Sequence, residues 1–255
     1  MADVVTSGSL PRRPSPRLAN LPKAKLVQRS DITNDLMVIK LEPEEDPLRF
    51  KAGQYCTLGL QGVERAYSIV SAPHEPLLEI FVELVPEGEL TPVMWQMELG
   101  DYLTIRPRAK GLFTMDQRVR HHFMVATVTG VAPAMSMVRS NLHEGGQGHT
   151  FYVLLGASYR DELTYDKELA LMASQHPDTV HFVPTVSRPN EERNAGWEGA
   201  EGRVNVIVEE YLEKFAPPKN DTLIYACGHP GMIADVKDRV TADGWKFKEE
   251  RFWKE

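Results

Sequence analysis

The sequence predicts two domains, an antiparallel β-barrel followed by an α/β domain with a parallel sheet. Short β-branched or alternating runs with close turns occupy the first half and predict a six-stranded barrel: "AKLVQRS", "LMVIKLE", "QYCTLGL", "RAYSIVS", "LLEIFVELV" and "DYLTIRP". After about Gln117 the rhythm changes, and apolar runs alternate with helical segments. That alternation is typical of a parallel sheet covered by helices on both faces.

The second half contains four apolar runs and four helical segments. The runs, predicted as strands, are "HHFMVATV", "TFYVLLGA", "TVHFVPTVS" and "DTLIYACG". The helices are predicted around residues 133–143, 165–175, 203–215 and 230–242. Strands and helices therefore follow each other in strict alternation.

The first 22 residues differ in composition from the rest. They contain prolines at positions 11, 14, 16 and 22 and no apolar run long enough for a signal peptide. We therefore divide the chain into a flexible arm, 1–22, a barrel domain, 23–116, and an α/β domain, 117–255.

Composition argues against several classes of protein. A formal charge of -7 disfavours general nucleic-acid binding. The two cysteines, Cys56 and Cys227, lack metal-ligand spacing, which argues against a disulfide framework, a zinc site or a cysteine-ligated iron-sulfur cluster. The longest apolar run, 123–138, is too short to span a bilayer. We expect a cytoplasmic protein with no metal and with neither nucleic acid nor membrane as a partner.

Glycine and proline follow two of the apolar runs, where ligands of open parallel sheets bind. In "TVTGVAP", Gly130 allows close backbone approach and Pro133 suits the first turn of a helix, and "CGHPGM" places Gly228 and Pro230 similarly. Helix N-termini of this kind bind phosphate, so the two junctions predict a nucleotide site. Each junction alone also fits an ordinary turn between a strand and a helix. Neither has the pattern G-x-G-x-x-G that is typical of Rossmann dinucleotide-binding sites.

The stretch "RAYS" in the fourth barrel run combines a guanidinium with an aromatic ring. Alternate side chains of a strand share a face, so Arg65 and Tyr67 are predicted to point the same way. A flat ring favours an aromatic neighbour, and a diphosphate favours a guanidinium. Taken alone, the motif also fits a core tyrosine beside a surface arginine.

The motifs "RAYS", "TGVAP" and "CGHPGM", in this order, resemble the ferredoxin/flavodoxin NADP reductase family, in its compact bacterial type. The resemblance covers roughly residues 25–255. It implies an FAD-binding barrel, an NADP-binding α/β domain and the cofactors FAD and NADP. It also implies hydride transfer from NADPH to FAD N5, followed by single-electron transfers to a ferredoxin or flavodoxin. Such chemistry needs close stacking rather than an acid-base pair.

The resemblance implies where FAD would bind. Tyr67 would lie against the flavin, Ser68 would approach its N5 edge, and Arg65 would meet the pyrophosphate. Thr91 would cap a short helix that Pro92 opens, also at the pyrophosphate. The expected FAD contacts are Arg65, Ala66, Tyr67, Ser68, Val82, Leu90, Thr91, Thr129 and Trp253.

Three residues are expected at the reacting atoms, namely Ser68, Cys227 and Trp253. Trp253 in "EERFWKE" would cover the flavin face as a movable gate, with Phe252 as the fallback. A hydrophobic plug for the last strand is the alternative for Trp253. Cys227 would lie beside the nicotinamide, and its alternative is an ordinary buried side chain.

The resemblance also implies the NADP site. Ser187, Arg188 and Arg203 match positions of bacterial relatives at the 2'-phosphate. The expected NADP contacts are Gly130, Val131, Pro133, Ser187, Arg188, Arg203, Cys227, Gly228 and Met232. Two departures are Ser158, where some relatives carry arginine, and Val128, where many carry glycine. No acidic residue is evident beside Arg188, which favours NADPH over NADH.

The electrons are expected to leave to a separate acceptor. Arg106, Arg108 and Lys110 are predicted to share one strand face near the barrel rim and to dock an acidic ferredoxin or flavodoxin. One alternative is a flavin reductase or oxygenase reductase component on the same fold. Another is a non-catalytic electron-transfer subunit; the subunit of this kind in dihydroorotate dehydrogenase needs a C-terminal cysteine cluster, which this sequence lacks.

Overall fold

The computed structural model describes residues 20–44, 47–146 and 148–252. Most of the predicted arm and Trp253 lie outside these ranges, so the structure does not bear on them.

The first half forms the predicted six-stranded antiparallel sheet, in the order β4-β3-β6-β1-β2-β5. Its strands are β1 (Lys23–Asp31), β2 (Leu36–Pro43), β3 (Tyr55–Leu60), β4 (Val63–Ser68), β5 (Leu78–Glu83) and β6 (Tyr102–Ile105). A bridge between Ile69 and Ile80 joins the ends of the outermost strands, which closes the sheet into a barrel. A four-residue helix, α1 (Thr91–Met94), lies between β5 and β6.

The second half is a six-stranded parallel sheet in the order β10-β9-β8-β7-β11-β12. Its strands are β7 (His121–Thr127), β8 (Thr150–Ala157), β9 (Val180–Val186), β10 (Ala200–Glu201), β11 (Thr222–Cys227) and β12 (Lys246–Glu250). Its helices are α2 (Ala132–His143), α3 (Asp166–Gln175), α4 (Val204–Phe215) and α5 (Pro230–Ala242). All four predicted helices and all four apolar strands are confirmed.

Strands β10 and β12 were not predicted. β10 has only two residues, and β12 has the sequence "KFKEE", which offers no apolar run. Both lie at the edges of the sheet, where charged residues discourage pairing with another chain. The apolar signal that marks a buried parallel strand is therefore missing from both.

One hydrophobic core spans the boundary between the two halves. Phe81 and Phe113 from the barrel side pack in the same cluster as Met124 of β7 and Met135 of α2. A second cluster fills the barrel, and a third lies between the sheet and helices α4 and α5. None of the helices in the described part of the chain is long and apolar enough to cross a membrane.

A buried charge network, here called the Arg139 joint, also crosses this boundary. Arg139 of α2 makes two hydrogen bonds to the Glu168 carboxylate of α3, at 2.7 and 2.8 Å. It also lies 3.4 Å from Glu79 of barrel strand β5, which accepts a hydrogen bond from the Tyr165 hydroxyl at 2.8 Å. Burial would raise the pKa of Glu79, but Arg139, Tyr165 and Lys40 together lower it.

We predict that Arg139→Met lowers the free energy of unfolding by about 2–3 kcal/mol, because Glu79, whose side chain is 7% exposed, loses one charged partner but keeps Lys40 at 3.3 Å and the Tyr165 hydroxyl. Urea unfolding measures the change.

Arg239→Met is the matched control, since the carboxylates that Arg239 contacts, Asp235 and Glu209, are 38% and 47% exposed and stay solvated when it is removed. In the Arg139→Met background, Glu79→Gln should recover part of the loss. Equal decreases in the free energy of unfolding in the two single variants would show that the Arg139 joint is no more important than an exposed ion pair.

Candidate active site

A cleft between the barrel and the parallel sheet brings many of the predicted contacts together. Strand β4 forms one wall, and the segments that follow β7 and β11 form the opposite wall. Predicted residues that line the cleft are Arg65, Ala66, Tyr67, Ser68, Leu90, Thr91, Thr129, Gly130, Cys227 and Gly228. The fallback residue Phe252 lines it too. Residues far apart in the sequence therefore face one shared space.

Close backbone packing between the ends of β7 and β11 builds the sheet side of the cleft. A Cβ atom on Gly130 would lie 2.2 Å from the carbonyl oxygen of Cys227. Gly228 has φ +130°, and a Cβ atom there would lie 2.2 Å from Thr127 Oγ1. The backbone N-H of His229 donates to the same Thr127 hydroxyl at 2.8 Å. Close packing within the chain therefore requires glycine at both positions, whether or not a ligand binds there.

The inner part of the cleft contains one polar atom that lacks a hydrogen-bond partner among the described residues. Ser68 Oγ is buried and makes no hydrogen bond with the residues that the structure describes. Such an orphaned atom is costly unless a ligand satisfies it, and the flavin edge expected at Ser68 would do so. The residues present therefore fit FAD.

Glu250 is a neighbour of the site that the sequence gave no reason to select. It pairs with Cys227 in the register of β11 and β12, and its Oε2 atom is buried without a hydrogen-bond partner among the described residues. Burial raises the pKa of Glu250 to about 8. Burial, together with Glu250, also raises the pKa of the Cys227 thiol. Both groups are therefore mainly uncharged at neutral pH. In sequence, Glu250 is only one acid in a charged terminal segment.

Arg65 and Tyr67 differ in their exposure. The Arg65 guanidinium is half-exposed and lies 3.0 Å from Glu89, an exposed partner that contributes little to stability. An anionic ligand could replace that carboxylate. The Tyr67 hydroxyl donates to Met94 Sδ at 3.3 Å, and burial raises its pKa. Arg65 therefore supplies charge at the rim, and Tyr67 supplies a neutral ring deeper in the cleft.

Thr91 does not cap helix α1, contrary to prediction. Leu90 occupies the N-cap position, and the Thr91 hydroxyl instead accepts a hydrogen bond from Val85 N at 2.9 Å and donates one to Val85 O at 3.2 Å. The hydroxyl is used to fix the preceding loop. Thr91 still lines the cleft, although for a different local reason.

Four predicted contacts have side chains in the core rather than on the cleft. Val82 lies inside the barrel, while its neighbours Phe81 and Glu83 line the cleft, because successive strand residues face opposite sides. The others, Val131, Pro133 and Met232, are buried near the starts of α2 and α5.

The predicted NADP arginines lie beside the cleft rather than in its wall. Ser187 and Arg188 follow β9, and Arg203 is the N-cap residue of α4. These positions share the carboxyl edge of the sheet with Gly130 and Gly228, as a ligand along that edge would require. The expectation that no acidic residue adjoins Arg188 is wrong, since Glu191 lies 3.6 Å from its guanidinium.

Comparisons with known proteins identify the family. Residues 23–113 match the oxidoreductase FAD-binding domain model, and residues 124–238 match the oxidoreductase NAD-binding domain model. Ferredoxin--NADP reductase B of Sorangium cellulosum is 32% identical, over 74% of this chain and 78% of that protein. The chain belongs to the ferredoxin/flavodoxin NADP reductase family.

Two further relatives show the breadth of the similarity. NADH-cytochrome b5 reductase 1 of Candida glabrata is 26% identical, over 87% of this chain and 79% of that protein. The crystal structure of a ferredoxin NADP+ reductase from Neisseria gonorrhoeae with bound FAD and NADP is 24% identical, with a TM-score of 0.78 over 91% of this chain and 98% of that one. This member of the ferredoxin/flavodoxin NADP reductase family is a flavin-dependent NAD(P)H oxidoreductase.

Val128, the departure from the family's usual glycine, has the backbone conformation that glycine favours. Its φ is +44°, in the left-handed region that is costly for a β-branched residue. The side chain packs against the core that spans the two halves. The reductase thus has a left-handed backbone conformation at this strand end despite the valine.

Phe252 is the described aromatic residue at the C-terminal end of the reductase. Its ring packs edge to face against the ring of Tyr55, with 5.7 Å between the ring centroids. Phe252 lines the cleft and is 38% exposed. Trp253, the first candidate for the flavin cover, lies outside the described residues. Phe252 therefore lies at the cleft, and its role as a cover for the flavin stays a prediction.

We predict that Gly228→Ala destabilises the reductase by at least about 2 kcal/mol more than Gly145→Ala. Both glycines have positive φ, but a Cβ on Gly228 meets Thr127 whereas a Cβ on Gly145 has nothing within 4 Å. The difference therefore isolates the close packing behind the cleft. Thermal and urea unfolding, together with retained flavin, provide the measurement. Similar losses in both variants would show that backbone conformation alone is responsible.

Proposed function

We propose that this reductase transfers electrons between NADPH and a one-electron carrier protein, a ferredoxin or a flavodoxin, through bound FAD. The main support is the single cleft that joins the "RAYS" strand to the ends of β7 and β11. FAD, when bound, supplies the exchange between two-electron and one-electron transfer. The division into 23–116 for FAD and 117–255 for NADP, and a cytoplasmic location, belong to the same proposal.

Each catalytic residue is assigned a role, which for Ser68 and Cys227 is supported by their surroundings. Ser68 Oγ, which lacks a partner among the described residues, is proposed to hydrogen-bond the flavin edge. The buried, uncharged Cys227 thiol is proposed to shape the nicotinamide position. Trp253, or Phe252 in its place, is proposed to cover the flavin face and move aside for the coenzyme.

The expected cofactor contacts complete the site. Tyr67 and Arg65 are proposed to hold the flavin ring and its pyrophosphate, respectively. The positions at the carboxyl ends of β7, β9 and β11 are proposed to hold NADP along one edge of the sheet. The four residues with core-facing side chains, Val82, Val131, Pro133 and Met232, are proposed only as supports for these contacts.

Anaerobic rapid mixing tests the proposed reaction. We expect flavin to copurify with the protein and to lose its visible absorbance quickly with NADPH. Ser68→Ala should slow this step about tenfold, as expected for one buried hydrogen bond worth about 1.4 kcal/mol. Ser140→Ala is the control, because the Ser140 hydroxyl contacts only the exposed Glu144 among described partners.

Other results would favour the alternatives. Flavin that is not held would contradict the roles of Arg65, Tyr67 and Ser68. Flavin that exchanges freely would indicate a flavin reductase. Bound flavin that neither NADPH nor NADH bleaches would indicate a non-catalytic subunit, and reduction of an oxygenase instead of a carrier would indicate a reductase component.

The predicted docking patch needs correction before it is tested. Strand β6 ends at Ile105, so Arg106, Arg108 and Lys110 do not share a strand face. Arg106 makes two hydrogen bonds to Glu64, at 2.7 and 2.6 Å, so its charge is already compensated. Arg108 and Lys110 remain exposed.

Arg108 and Lys110 lie next to an apolar surface at the cleft rim. Leu112 is 87% exposed, and Lys110 pairs through its backbone with Tyr55, the residue that contacts Phe252. We define Arg108, Lys110, Leu112 and Phe252 as the carrier patch. Exposed apolar side chains beside cations suit an acidic protein partner, and contact through Phe252 would bring that partner to the cleft.

We predict that the double variant Arg108→Glu, Lys110→Glu raises KM for an acidic ferredoxin roughly fivefold or more at low salt, with a smaller effect at high salt. Flavin bleaching by NADPH should not change, because neither side chain lines the cleft. The double variant Lys167→Glu, Lys214→Glu controls for net charge, because both lysines are exposed, one on α3 and one on α4, and the change in charge is the same. An unchanged rate of carrier reduction in the Arg108→Glu, Lys110→Glu variant would show that the carrier patch does not dock the carrier.

A further inference from the structure

Two loops at the carboxyl ends of β8 and β9 are joined by one buried side chain, Asn194. Its amide group donates to the carbonyls of Ser158 at 3.0 Å and Arg188 at 2.9 Å, and its carbonyl accepts from the backbone N-H of Arg160 at 2.8 Å. Asn194 is 1% exposed, so water does not compete for these bonds. The loops that carry Tyr159 and Arg188 therefore have a fixed relation to each other.

Glu191 completes a three-membered group on the outer side of these loops. Arg188 Nη1 donates to the Tyr159 hydroxyl at 2.8 Å, and that hydroxyl donates to Glu191 Oε2 at 2.5 Å. Glu191 Oε1 is 3.6 Å from Arg188 Nη1. The side chains of Arg188 and Glu191 are both 52% exposed, so a ligand from solvent can reach them.

A 2'-phosphate would compete with Glu191 for the same groups. Guanidinium and hydroxyl donors recognise phosphate, and in this structure Glu191 interacts with both of them. Two anions beside one guanidinium repel each other. A 2'-hydroxyl can instead donate a hydrogen bond to a carboxylate. The same side chain thus opposes binding of NADPH and favours binding of NADH.

We propose that Glu191 is a specificity-determining residue that reduces the preference for NADPH over NADH by interacting with Arg188 and Tyr159. This rests on the proposed function, since it takes NADPH as a substrate. Removing the Glu191 charge frees the guanidinium for phosphate while the loops stay fixed by Asn194.

Glu191→Gln in the flavin-loaded protein tests the proposal. Calorimetry measures the Kd of 2',5'-ADP and 5'-AMP, which differ by the 2'-phosphate alone. We expect Glu191→Gln to improve the ratio in favour of 2',5'-ADP about fivefold. The kcat/KM ratio of NADPH to NADH should shift in the same direction. Glu192→Gln is the matched control, because Glu192 is exposed and makes no ion pair with any described residue; we expect a change below about twofold.

Several results would overturn the proposal. These are equal shifts in both variants, no shift or a reversed shift in Glu191→Gln, and no binding of 2',5'-ADP to any variant. Glu191→Ala repeats the test with a smaller side chain, and thermal melting checks that each variant is folded. Failure of the proposed function has a different signature, namely flavin that neither NADPH nor NADH bleaches. In that case the ratio of the Kd values of 2',5'-ADP and 5'-AMP still decides the role of Glu191.

Discussion

The cleft depends on how the barrel and the parallel sheet are held against each other, and the Arg139 joint restricts the direction of that contact. Phe81, Phe113 and Met135 give the boundary an apolar core, but apolar contact is non-directional and tolerates small shifts. The paired hydrogen bonds of Arg139 to Glu168, with Glu79 across the boundary, require a defined geometry. Strand β4 and the ends of β7 and β11 therefore face each other at a fixed separation.

Charge is distributed unevenly along the cleft. The interior contains the neutral Cys227 thiol and the Ser68 hydroxyl, which has no hydrogen-bond partner among the described residues, and Glu250, whose pKa is raised to about 8, lies behind Cys227 in the sheet. The guanidinium of Arg65 stands at the rim, and that of Arg188 lies farther along the sheet edge. A ring system is best accommodated among neutral groups, and phosphates among cations, because burying an unpaired charge is costly. The distribution matches a ligand with a flat, uncharged head and charged phosphates.

The sequence predicted the elements that depend on local pattern and missed those that depend on contacts between loops. Apolar runs and Gly-Pro junctions were sufficient for helices α2 to α5, whereas the charged edge strand β12 has no such pattern. Val82 was placed on the cleft instead of Phe81, since a family motif does not fix strand register to one residue. Asn194 and Glu191 lie in a polar loop whose fold determines their partners, so their sequence carries no signal.

Two arginine side chains lie close together on the Tyr159 ring. Arg188 and Arg193 lie over the same Tyr159 ring, with guanidinium carbons 5.3 and 4.1 Å from its centre, and their charges repel. Glu191 relieves this for Arg188, as Asp161 does for Arg193 at 2.9 Å. Under the proposed function, a 2'-phosphate that binds Arg188 must displace Glu191 from it. The affinity for a 2'-phosphate then depends on the difference in free energy between Arg188 paired with the phosphate and Arg188 paired with Glu191. The number of arginines in the sequence does not set it.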